Sequence, residues 1–263
     1  VIRRGLTVLL FLLTWGIGAQ PVLVIRISGI EGRPNYGRDL LAQALKAAGY
    51  FPRFELVGEY PSPRREAMLA DGRLSVSLLG QTPERDAKFL AVRVGVTDNL
   101  MGKRLLFITK GSQKDYDKVK TLDDLRRLGK VAGVGSSWAD GPIWAANRLP
   151  SQGIEGNWKV LYSLVASGKR GVDYLPRSVM EIAAESRRHP ELDVEQNLML
   201  VYPADHILYV SPQAAELKGP LEKALVLARD SGLIKRLVVQ KFPEVFSPSL
   251  GLDRRIVIPL ALP

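Results

Sequence analysis

Arg85, in the stretch Thr82-Pro83-Glu84-Arg85, has the clearest chemistry to offer. A guanidinium holds a carboxylate through two parallel hydrogen bonds, a geometry that lysine does not reproduce. Glu84 and Asp86 flank it, so a surface arginine on a charged loop is the plainer alternative. Arg177 could present a second guanidinium to the same anion, or pair locally with Asp173 or Glu181. Ser136 and Ser137, in Gly135-Ser136-Ser137-Trp138, could donate hydroxyl and backbone N–H groups to an anion at a helix start, or simply cap that helix. Trp138, Tyr174 and Tyr36 could wall a pocket with their rings, or be core.

Other chemistries are excluded or poorly supported. The chain of 263 residues contains no cysteine, which removes thiol nucleophiles, cysteine zinc sites and a disulfide framework. With two histidines, His189 and His206, a multi-histidine metal centre is excluded as well. Gly32-Arg33-Pro34-Asn35-Tyr36-Gly37-Arg38-Asp39 has the glycine spacing of a phosphate-binding loop but lacks its lysine and hydroxyl. Gly133-Val134-Gly135 lacks the third glycine of a dinucleotide fingerprint. There is no GxSxG elbow. The 37 Lys and Arg against 27 Asp and Glu give a formal net charge of +10, which favours anionic partners. The basic residues are scattered with few aromatics between them, so a nucleic-acid groove is not expected. No cofactor and no metal are expected either.

The elements that must position these residues alternate strand and helix, which argues for an α/β fold. Strands are expected at Val22–Ile27, Phe54–Val57, Leu74–Leu79 and Arg104–Thr109, with a polar loop over Gly80–Lys88. Asn35 caps a helix that Gly49 stops, and Ser62-Pro63 opens a second. A new series begins at the capping box Thr121-Leu122-Asp123-Asp124. It continues with strands at Lys130–Val134, Lys159–Tyr162 and Val172–Leu175, a capping box at Ser178-Val179-Met180-Glu181, and strands at Leu198–Tyr202 and Ile207–Ser211. Helices near Leu221–Ala228 and Leu233–Phe242 follow. At the start, Arg3 and Arg4 precede an apolar run, Leu6–Leu13, and small residues to Ala19, the pattern of a cleavable signal peptide. An exported, periplasmic protein is expected.

Three stretches together resemble type II periplasmic solute-binding proteins, in particular the class serving polar-amino-acid ABC transporters. Gly72–Gly80 followed by Thr82-Pro83-Glu84-Arg85 is similar to that family's strand and T-x-x-R loop. Gly135-Ser136-Ser137 is similar to its small-hydroxyl turn, and Gly168–Tyr174 to its G-x-x-D strand. The resemblance implies a two-lobed α/β fold, each lobe a mixed sheet flanked by helices, joined by two crossing strands. On that reading 1–19 is the signal peptide, 20–107 and 202–263 are lobe one, and 108–201 is lobe two. The crossings fall near Arg104–Lys110 and Leu200–Tyr209.

The implied function is capture of a small molecule in an interlobe cleft for an inner-membrane ABC permease, by a monomer that is not an enzyme. The ligand-binding residues would be Arg85, Thr82, Ser136, Ser137, Trp138, Tyr174, Arg177 and Tyr36. After the second-lobe strand, Leu175-Pro176-Arg177-Ser178 offers an arginine where amino-acid binders place a carboxylate for the ligand's ammonium. The expected ligand is therefore anionic, with at least one carboxylate or phosphate and no essential amine. The alternatives are a dehydratase of the prephenate or arogenate type, with Glu31, Asp140 or Asp173 as general acid, and a ligand-sensing module.

Overall fold

A computed structural model of the chain describes residues 22–168 and 171–263. The expected signal peptide lies outside the described residues, as do Lys169 and Arg170 of the Gly168–Tyr174 stretch. The first elements are β1 (Val22–Ile27), α1 (Tyr36–Ala47), β2 (Phe51–Leu56), α2 (Ser62–Ala70), β3 (Val76–Gly80), α3 (Pro83–Lys88) and β4 (Leu90–Val92). The middle of the chain gives β5 (Lys103–Thr109), α4 (Gln113–Tyr116), α5 (Leu122–Leu128), β6 (Ala132–Gly135), α6 (Asp140–Ala146) and β7 (Ser151–Ile154). There follow α7 (Val160–Ser167), β8 (Tyr174–Ser178), α8 (Val179–Glu185), β9 (Leu192–Val194) and β10 (Leu198–Val201). The last elements are β11 (His206–Val210), α9 (Lys218–Asp230), α10 (Leu233–Lys241) and β12 (Ile256–Pro259).

Two groups of strands result. β1 and β2 run parallel, and β11 lies antiparallel between β3 and β4. The Ser75 N–H donates to the Arg26 carbonyl at 2.8 Å, stitching β1 to the chain entering β3. The second group is a seven-stranded sheet in the order β12-β10-β5-β8-β6-β7, with β9 also paired to β5. β5 enters and β10 leaves this sheet as antiparallel neighbours, Arg104 opposite Leu200 and Lys103 opposite Val201.

Caps and buried faces explain most boundaries. The Asn35 side chain accepts from the Arg38 N–H at 3.1 Å, and α1 turns Leu40, Leu41, Ala44 and Leu45 inward against the sheet and α9. Burying each leucine contributes roughly 1.5–3 kcal/mol. Gly49 takes φ +85°, the left-handed turn that ends the helix. Both expected capping boxes form, at Thr121 with Asp124 and at Ser178 with Glu181.

Four expectations are corrected. The loop over Gly80–Lys88 contains α3, because Thr82 caps it through the Arg85 N–H and Pro83 takes its first position. Lys159–Tyr162 is not a strand: Leu161, Tyr162 and Val165 recur at helical spacing, and Gly168 closes α7 in the left-handed region. The strand before it is Ser151-Gln152-Gly153-Ile154, a polar sheet edge without an apolar run to betray it. β8 begins at Tyr174, so Arg177 lies within a strand whose five residues are all buried. Finally, β12 pairs parallel with β10 in the seven-stranded sheet, so these residues of 202–263 sit with the middle of the chain. Arg255 fixes that pairing, its Nη1 donating to the Leu198 carbonyl at 2.9 Å and lying 3.6 Å from the fully buried Glu195 carboxylate.

Candidate functional site

A cavity of about 500 Å³ opens where β1 and β2 end and α1 begins. Clefts outside the carboxyl ends of strands are where α/β folds place ligands. Its walls include Ser28, Tyr36, Tyr60, Arg65, Ser77 and Leu78. Gly37 keeps it open at the helix start, since a Cβ there would sit 3.1 Å from Leu78 Cδ1. The turns after β1 and β2 are tied together: the Gly29 N–H donates to the Gly58 carbonyl at 2.8 Å, and the Ser28 hydroxyl to the same oxygen at 2.9 Å.

Two polar atoms at this cavity are buried with no partner among the described residues, the Oγ of Ser77 and the Nε of Arg65. Ser77 is only 2 % exposed, so its lone hydroxyl is an unpaid desolvation of about 1–3 kcal/mol. Arg65 donates Nη1 to the Leu78 carbonyl at 3.3 Å and Nη2 to Ser62 Oγ at 3.0 Å, and among the described residues no carboxylate forms an ion pair with it. Burial, then the nearby Arg85 guanidinium, pulls its pKa below the ordinary arginine value, with Glu66 opposing. His206, opposite Gly80 in the sheet, is likewise pushed below its ordinary value by burial; Asp205 opposes the shift, and Arg65 and Arg85 add to it. The corner is therefore electropositive and short of an acceptor.

Arg85 is differently placed. Its Nε and Nη2 both donate to Glu66 Oε1, at 3.2 and 2.8 Å, and its Nη1 to the Gly80 carbonyl at 2.6 Å. Thr82 spends its hydroxyl on capping α3. Tyr36 lines the cavity, but its hydroxyl donates to the Val96 carbonyl and its ring packs 5.7 Å from Phe242.

A second cavity of about 290 Å³ lies against the seven-stranded sheet. Arg104 on β5 meets Asp140 through two bonds, Nε to Oδ1 at 2.8 Å and Nη2 to Oδ2 at 3.1 Å, and the Tyr202 hydroxyl donates to Asp140 Oδ1 at 3.0 Å. Burial pulls the Arg104 pKa down, but Asp140, Tyr202 and Glu181 together carry it above the ordinary value. Arg177 forms a second buried pair, Nε to Glu185 Oε2 at 2.8 Å and Nη2 to Glu185 Oε1 at 2.7 Å, with Glu181 at 3.0 Å. Trp138 and Trp158 flank that guanidinium, and Trp158 also borders a third cavity of about 420 Å³ beside Tyr162 and His189. His189 stacks on Tyr162 at 3.6 Å rather than facing solvent alone.

The remaining expected residues lie elsewhere. Tyr174 is fully buried in the core, its hydroxyl accepting from Trp144 Nε1 at 2.9 Å, so it walls no cavity. Ser136 and Ser137 are exposed, and Ala139 rather than a serine precedes α6, with no side-chain cap. Of the carboxylates considered for catalysis, Asp140 is bound to Arg104, Asp173 accepts the Val131 N–H at 2.8 Å, and Glu31 is on the surface. Arg65 and Ser77 were not foreseen. The signal for Arg65 is its spacing, three and four residues before the buried Met68 and Leu69 on the same helix face.

No protein-family model and no curated protein matches the sequence. Solved structures do match in shape. The probable amino-acid ABC transporter extracellular-binding protein YtmK from Bacillus subtilis aligns over 89% of this chain and 100% of its own, at 16% identity and a TM-score of 0.59. The GluR0 ligand-binding core in complex with L-glutamate covers 86% and 100%, at 14% identity and a TM-score of 0.52. The amino acid ABC transporter substrate-binding protein AbpA from Streptococcus pneumoniae, bound to L-arginine, covers 86% and 96%, at 17% and 0.50. The chain thus has the mixed α/β, two-lobed fold of the periplasmic binding proteins.

Proposed function

We propose that the chain is an exported solute-binding protein that captures a small carboxylate-bearing ligand and delivers it to an ABC permease. The observation that carries the ligand class is the pair of unpartnered buried groups, Arg65 Nε and Ser77 Oγ, at the 500 Å³ cavity. A carboxylate in the cavity offsets the repulsion between Arg65 and Arg85, and a turn of the two side chains toward it lets it accept from both atoms. The anion anchor is then Arg65, since Arg85 and Arg177 are neutralised by Glu66 and Glu185. The first lobe carries this cavity and the second the 290 Å³ cavity. The connections run near 97–103 and 201–206, where Asp205 accepts the N–H groups of Thr97 at 2.9 Å and Asn99 at 3.0 Å. Among the described residues no helix is long and apolar enough to cross a membrane. Export rests on the Arg3–Ala19 pattern.

Mass spectrometry of the protein, first native and then denatured, identifies a small molecule carried through purification. Calorimetry with that compound is expected to show Arg65→Met at least about tenfold weaker, since losing one partner of a charged pair costs roughly 2–5 kcal/mol. Tight binding of a neutral or cationic compound, unchanged in Arg65→Met, refutes the reading.

A further inference from the structure

The second cavity holds a cage suited to an organic cation, and the cage is already full. Trp138 and Trp158 stand with ring centroids 5.1 Å apart and planes inclined at 62°. The Arg177 guanidinium carbon lies 5.0 Å from the first ring centroid and 4.6 Å from the second. Glu185 grips it from one side at 2.7 and 2.8 Å, and Glu181 adds a contact at 3.0 Å. Two indole rings with two carboxylates, around a side chain only 7% exposed, are the chemistry that recognises guanidinium and quaternary ammonium groups.

We infer that Arg177 is a specificity-determining residue: an internal guanidinium that occupies an aromatic, acid-lined cage and closes this cavity to cationic ligands. Arg177 is held in register, opposite Leu105 in the β5–β8 pairing, so the occupant is tethered by the sheet itself. An external cation must compete with a group whose effective concentration is set by that tether, which is about millimolar or higher. It gains no new contact by the exchange. Without Arg177, the acids Asp140, Glu181 and Glu185 outnumber Arg104 and the Arg188 near Glu185, and the cage becomes net negative. The inference deepens the proposed function by excluding a ligand class, but its test needs neither the natural ligand nor a permease.

The full chain carrying Arg177→Ala is titrated with methylguanidinium and with L-arginine, by calorimetry and tryptophan fluorescence. The variant is expected to bind methylguanidinium with one site and at least about tenfold more tightly than the unsubstituted chain. Sodium chloride at equal concentration leaves it unchanged. Arg177→Lys, which keeps the charge but not the planar group, is expected to stay closed. Adding Trp158→Ala to Arg177→Ala removes the gained site. If Arg177→Ala folds only poorly, recovery of its near-ultraviolet dichroism in methylguanidinium, and not in sodium chloride, reads the same occupancy. Binding of methylguanidinium by the unsubstituted chain as tightly as by the variant overturns the inference, as does a variant that neither binds it nor recovers in it. Tight binding of a neutral or cationic compound at the first cavity, unchanged in Arg65→Met, overturns the proposed function and leaves this result standing.

Discussion

Asp140→Ala is expected to be among the most damaging single substitutions outside the apolar core. The Asp140 side chain is 4% exposed and that of Arg104 is 11%, so both charges are held almost out of water. Removing the carboxylate strips Arg104 of two hydrogen bonds, at 2.8 and 3.1 Å, and leaves it the Tyr202 oxygen at 2.7 Å and Glu181 at 3.7 Å. Breaking a buried pair from one side costs about 3–5 kcal/mol. The surviving Glu181 contact places this case near the lower figure. In a domain of this size about 3 kcal/mol corresponds to a Tm lower by roughly 6–12 °C. Arg104→Met strands the carboxylate instead and is expected to cost a similar amount. Arg104→Met with Asp140→Leu removes both charges, and is expected to cost less than either single change, because neither ion is left unpaired. Urea unfolding at neutral pH, followed by dichroism, measures all three. Single changes each below about 1 kcal/mol, or a double variant equal to their sum, refute the claim that the pair is buried and coupled.

Two further outcomes follow from the first cavity. Ser77→Ala removes a buried hydroxyl that has no partner, so stability is expected to hold or rise by about 1 kcal/mol while affinity for a carboxylate ligand falls; a clear loss of thermal stability in the unliganded variant contradicts it. His206 has a folded pKa below its ordinary 6.5, chiefly through burial, so the unfolded chain binds the proton more readily. Its contribution is fully present above about pH 6.5 and is lost as pH falls below that toward the folded value, at no more than about 1.4 kcal/mol per pH unit. Urea midpoints from pH 7.5 down to 5.5 are expected to fall less steeply in His206→Gln, and an unchanged slope counts against it.

Local signals in the sequence were enough for elements whose ends are chemically marked. Asn35, Thr121 and Ser178 cap the helices expected of them, because an N-cap is decided within four residues. The first turn of α7 reads as a strand because four apolar-rich residues, 159–162, do not distinguish a strand from a helical turn, while its end at Gly168 is legible in the sequence. β12 was missed because its partner β10 is distant in sequence. The site was less legible for a related reason. Arg85 is neutralised by Glu66, nineteen positions away, while Arg65 has no such partner among the described residues, and sequence spacing does not reveal which arginine remains unpaired. Trp138 and Arg177 meet each other, and that meeting depends on Trp158, which carries no signal of its own in the sequence.

The late arrival of β12 imposes an order on the folding of a chain made from one end. Until Ile256–Pro259 emerges, β10 has an unpaired edge, and Glu195, at the heart of the sheet, lacks its buried arginine. The middle of the chain is then a nearly complete sheet with an open template for strand addition, the kind of transient species that invites mispairing between copies. A nascent chain of this design is safer kept unfolded until its distal strand is available. Excising the middle sheet as 103–201 would reproduce the same vulnerable intermediate permanently.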